Sequence, residues 1–164
     1  MIPLFLGLTL ANLAALAAAA GMGYWSMSHE SFRQWHMLAG ALAALICCAV
    51  HCVVFTYFIA TAKWMEHAVL VKNLNPSLTA PARPLKSQAL PAALVAMAMV
   101  FLAALLGVMT DTGLTTIVLH HVCVLAAIVV NVGAGVLELI AIRRNGLLID
   151  RILAIINRSA STDV

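Results

Sequence analysis

Four histidines, His36, His51, His120 and His121, fall inside long apolar runs of this chain, where an ionisable side chain is costly enough to suggest a job. At about 100 degrees per residue, His36 and His51 project within roughly 60 degrees of each other on one helix, about 22 Å apart along it. Gly40, Cys47 and Phe58 share that sector. An imidazole can supply an axial nitrogen to a haem iron, and a glycine between two such rings lets a flat macrocycle approach the backbone. A second polar stripe begins at His120, with Asn131 and Glu138 eleven and eighteen residues further on and nearly in line with it. His121 projects about 100 degrees away from His120.

Softer chemistry is also written into the same stretch. Residues 47 to 52 read CCAVHC, and Cys48, His51 and Cys52 at i, i+3 and i+4 share a helix face suited to Cu(I) or zinc. Met97, Met99 and Met109 offer further soft ligands, so a metal-ion transporter is one reading of this set. Thiols in apolar helices also serve as small packing groups. Asn131 and Glu138 are candidates for a polar relay, with Glu138 close enough to the inner interface to pair with Lys63 instead. Asn12, in the small-residue run ANLAALAAAAG, is placed to bond across to a neighbouring helix.

What positions these groups is a membrane-type chain. Of 164 residues, 64% are hydrophobic and 9% charged, so too little charged surface exists to cover a soluble core. Four segments, at about 2–26, 35–62, 89–110 and 114–142, are long enough to cross a bilayer at roughly 20 residues each. No Lys or Arg precedes the first, so it reads as a retained helix and not as a signal peptide. The expected fold is all-α: a four-helix integral membrane bundle over 1–145, followed by an amphipathic segment, 146–164, with Leu148, Ile152, Ile155 and Ile156 on one side.

The prolines of NLNPSLTAPARPLKSQALP mark the only long loop, and the second helix, lacking Pro or Gly after residue 62, extends towards Asn75-Pro76. No internal repeat is evident. Lys63, Lys72, Arg83, Lys86, Arg143, Arg144, Arg151 and Arg158 gather at one end and Arg33 alone at the other, which puts the long loop and both termini in the cytoplasm of an inner (plasma) membrane protein. The net charge of +3 is thereby accounted for without nucleic acid.

The arrangement resembles the four-helix transmembrane b-type cytochromes, on the strength of His36, His51, His120 and His121. That resemblance implies haem b held between the second and fourth helices, with His36 and His120 as the axial pair, His121 as substitute and His51 as a second site. The fourth helix has Ala134 and Gly135 where a second ligand pair would complete a two-haem protein, so one bis-histidine haem is the expectation. It also implies a subunit carrying electrons to or from a quinone or another membrane subunit, as a hetero- or homo-oligomer in the bilayer. A non-catalytic accessory or assembly subunit is the competing reading.

Overall fold

The structure, a computed structural model, describes residues 2–162, with side chains described as far as Arg158; the last two residues of the expected terminal segment lie outside the described residues. It contains four long helices: α1 (Ile2–Ser26), α2 (Arg33–Val71), α3 (Ala82–Asp111) and α4 (Ile117–Thr162). Each is long and apolar enough to cross a membrane.

Both α2 and α3 stop by the same device. Asn73 takes a left-handed conformation (φ 48°), and the amides of Asn73 and Leu74 reach back to the carbonyls of Leu70 and Val69. At the end of α3, Gly113 (φ 75°) does the same, with Gly113 and Leu114 bonding Thr110 and Met109. These are the paired 5→2 and 6→1 bonds that satisfy the last helical carbonyls. Asn75 then accepts a bond from the Ser77 amide (2.9 Å) and opens a 3-10 turn, Pro76–Thr79.

The expected long loop is therefore shorter than its prolines suggest. α3 begins at Ala82, seven residues ahead of the expected span, because Pro84 falls in the first turn, where no intrahelical partner for its missing N–H is required. Pro91 lies inside the helix and leaves the Ser87 carbonyl without its usual donor.

Two other expectations change. Residues 146 onward do not form a separate amphipathic segment but continue α4, Gly146 included. Their apolar face, Leu148 and Ile152, packs on Met65 of the α2 extension, with Leu78, Ala82 and Ile156 around it. The chain also carries a repeat that is hidden in its sequence. α1 pairs with α2 as α3 pairs with α4, and shifting by 84 residues carries Ala19, Gly23 and His36 onto Ala103, Gly107 and His120. Both hairpins run the same way, so the two halves form a parallel repeat. So few identities survive that only the contacts reveal it.

Helices pack in the cyclic order α1, α2, α3, α4, and α2 faces α4 across the centre. The half nearer the two hairpin turns is filled by small residues, Ala19, Ala43, Ala44, Ala103, Cys123 and Ala127, around Leu16 and Val100. Small side chains let helices approach closely where no hydrophobic effect drives them together. Nearer the other end, Phe5, Val54, Phe58, Leu85 and Ile142 form a second apolar layer. Gly135 fits the same logic: a Cβ there would lie 2.6 Å from Thr9 Cγ2, so α1 and α4 touch at this point. Large apolar residues, among them Leu38, Leu45, Phe101, Val118 and Val129, face outward, as they would toward lipid.

Candidate functional site

The polar residues of the spans divide into three groups along the line where α2 faces α4. The first is at the end bearing the hairpin turns. His36 Nδ1 lies 3.0 Å from the Ala19 carbonyl of α1, and His120 Nδ1 lies 3.0 Å from the Ala103 carbonyl of α3, each histidine following its alanine by 17 residues. An Nδ1 that donates to a main-chain carbonyl fixes the ring and leaves Nε2 as its free nitrogen.

Glycine makes each seat possible. A Cβ on Gly23 would stand 2.8 Å from His36 Cε1, and one on Gly107 would stand 3.1 Å from His120 Cε1. The two rings meet between the hairpins, centroids 6.3 Å apart and planes 68° apart. Both are half-buried, and the space a Cβ would enter beside Gly40, one turn from His36, is open. His121 turns instead toward Tyr24 of α1, with ring centroids 5.0 Å apart. Arg33 and Asp111 close this end with an exposed ion pair, the Arg33 Nε also bonding Asp111 at 3.1 Å.

The second group lies at the middle of the bundle and is sealed. Asn12, His51, Asn131 and Glu138 are each at most 2% exposed, and Cys47 is completely buried. His51 Nδ1 is 2.7 Å from Glu138 Oε1, and its Nε2 is 3.4 Å from Asn131 Oδ1. That same Asn131 oxygen accepts from Asn12 Nδ2 at 3.0 Å and from the Cys47 thiol at 3.4 Å. Asn131 Nδ2 donates to the carbonyls of Ala127 (2.9 Å) and Ala96 (3.3 Å), so all four helices contribute. Toward the basic end the α2–α4 line carries a third small set: Asn145 Nδ2 donates to Tyr57 Oη (3.2 Å) and Thr61 Oγ1 (3.0 Å).

The expected sites sort accordingly. His36 and His120 come together, whereas His51 joins the central cluster and does not share their site. Asn131 lies at the level of His51, and Asn12 does bond across to α4. Glu138 is not paired with Lys63, which is exposed; it lies deep in the bundle against His51. The compact thiol and imidazole face dissolves, because Cys48 is only half-buried and Cys52 is exposed while His51 points inward. Among the described residues no three His, Cys, Asp or Glu side chains converge on a point that could hold a metal ion.

Sequence reasoning missed Cys47 as a partner of Asn131, and it missed the Tyr57–Asn145–Thr61 set altogether. Asn145 falls seven residues, about two turns, beyond Glu138, and that spacing was the available signal. Comparison with protein-family models, with curated proteins and with solved structures finds no match to this chain.

Proposed function

We propose that the protein is a membrane subunit that binds one b-type haem between His36 and His120 and passes electrons between a quinone or a partner subunit and the face on which that pair lies. The chain spans the bilayer four times, with the basic ends of α2, α3 and α4 in the cytoplasm, since eight of its nine Lys and Arg residues lie on that side. The extended end of α2 and the amphipathic continuation of α4 then pack together beyond the membrane.

One observation carries the haem reading: two histidines from two hairpins, each tied at Nδ1 to a main-chain carbonyl and each seated on a glycine. The two rings stand 6.3 Å apart between the hairpins, so His36 and His120 are the residues that would hold the iron. A haem so held supplies a one-electron centre whose potential is set by its axial ligands and surroundings. The Ala19 and Ala103 carbonyls orient the rings, and the open side of Gly40 leaves room for the edge of a flat ring system. His121 stays outside the ligand set, turned to Tyr24.

The test is the reduced-minus-oxidised visible spectrum of protein purified from cells supplied with haem. Soret and alpha bands are expected, lost in His36→Ala and in His120→Ala and retained in His121→Ala. Protein without these bands overturns the reading and leaves the accessory-subunit alternative, which the inter-helix amide bond of Asn12 and Asn131 favours on its own.

A further inference from the structure

We infer that His51 and Glu138 together hold one exchangeable proton at the centre of the bundle, loaded from the basic end. The inference stands on the central cluster alone and does not depend on haem.

The hydrogen-bond count requires the proton. Both ring nitrogens of His51 face oxygens, Glu138 Oε1 at 2.7 Å and Asn131 Oδ1 at 3.4 Å. The orientation of the Asn131 amide is set by its neighbours: reversing it would turn Oδ1 toward the Ala96 and Ala127 carbonyls and Nδ2 toward the amide donor of Asn12. A neutral imidazole has a single N–H, so two acceptor contacts call for a second hydrogen, shared on the line between Nδ1 and Oε1. Whether it rests on the ring or on the carboxyl, the pair is neutral overall, the inexpensive condition for groups so deeply buried.

The surrounding network lets that proton move. Asn131 Oδ1 receives three donors, from Asn12, Cys47 and His51, although a carbonyl oxygen offers two lone pairs. The contact to His51 is thereby long, 3.4 Å against 2.7 Å for the ring's bond to Glu138. Beside it Asn12 Oδ1 is buried without a hydrogen-bond partner among the described residues. Asn131, bonded to the pair at His51 Nε2, gathers Asn12 from α1, the Cys47 thiol from α2 and the Ala96 carbonyl from α3, none of them charged as placed. Lys63 and Arg143, the nearest fixed charges along α2 and α4, are exposed.

The direction of loading follows from spacing. From Glu138 to Asn145, which holds Tyr57 and Thr61, is seven residues or roughly 10 Å along α4. From Asn131 out to His120 is eleven residues or roughly 16 Å, past Leu16, Ala43, Ala44, Cys123 and Ala127. The shorter apolar layer is the one toward the basic end.

Nitrogen-15 NMR of histidine-labelled protein in phospholipid nanodiscs, with infrared spectra of the same sample, tests this directly. At neutral pH the expected result is His51 protonated on both nitrogens beside an ionised Glu138, or on one nitrogen beside a protonated carboxyl whose C=O band vanishes in Glu138→Gln. The proton should exchange with D2O at least tenfold faster than the backbone amides of Val50 and Ala134, and at least tenfold more slowly in Asn145→Leu. A singly protonated ring beside an ionised carboxylate overturns the inference, as does exchange no faster than those amides; a rate unchanged in Asn145→Leu overturns the loading route. The wild-type spectra decide the first point even if Glu138→Gln fails to fold.

Discussion

His36 and His51 lie fifteen residues apart on nearly the same face of α2, yet the bundle gives them opposite situations. His36 is half-buried, has one ring nitrogen on a main-chain carbonyl, sits on Gly23 and meets another histidine from across the bundle. His51 is 1% exposed, has both nitrogens against side-chain oxygens and faces a carboxylate. The difference arises opposite them: at the turn end both hairpins present alanine and glycine, whereas at the centre α1 and α4 supply Asn12, Asn131 and Glu138. Residue type alone does not separate a ring with a free nitrogen from a ring committed to its neighbours; what stands opposite does.

Substitutions that strip one environment and spare the other sharpen this contrast. The largest stability effect is expected from Glu138→Leu, which leaves the His51 ring buried without its acceptor and should cost about 3–5 kcal/mol in reversible denaturation, against less than about 1 kcal/mol for His36→Ala. Gly23→Ala should act in the opposite way. Its Cβ would stand 2.8 Å from His36 Cε1 and push the ring from its seat, so a shifted or weakened Soret band is expected with the central cluster intact. Gly107→Ala, where the gap is 3.1 Å, should shift the band less, and equal effects would show that the two seats are not graded as the contacts indicate.

A smaller change is expected for Asn12→Leu. It removes one bond to Asn131 and also the unpartnered Asn12 Oδ1, so a loss near the membrane average of about 0.6 kcal/mol is anticipated, and a loss above about 2 kcal/mol would mean that Asn12 does more than bridge two helices. The smallest belongs to Arg33→Ala. Its bond to Asp111 joins side chains 50% and 33% exposed, so thermal melting should change by no more than 0–1 kcal/mol equivalent.

The sequence carried the helices well and their ends less well. The apolar runs place all four spans, because crossing a bilayer sets a length that composition must meet. The extension of α2 was legible as a stretch without Pro or Gly, but not its partner: Met65 is fully buried between Leu148 and Ile152 of the α4 continuation, a contact that no apolar-length rule anticipates. Helical projection also brought His36 toward His120 and set Asn131 level with His51. It left Glu138 to Lys63, since charge complementarity near an interface is a local guess, whereas the observed partner is decided by which face of α2 turns inward.

By itself the sequence determined that four apolar helices form, that basic residues collect at one end, and which faces of α2 and α4 bear polar groups, all of which follow from hydropathy and the helical period. The packing of the two hairpins decided the rest: the 84-residue correspondence of Ala19, Gly23 and His36 with Ala103, Gly107 and His120, the close approach at Gly135, and the convergence of five buried polar side chains from α1, α2 and α4 beside an α3 carbonyl. Those features depend on contacts between residues far apart in the chain, 119 positions in the case of Asn12 and Asn131, and no local periodicity encodes such a distance.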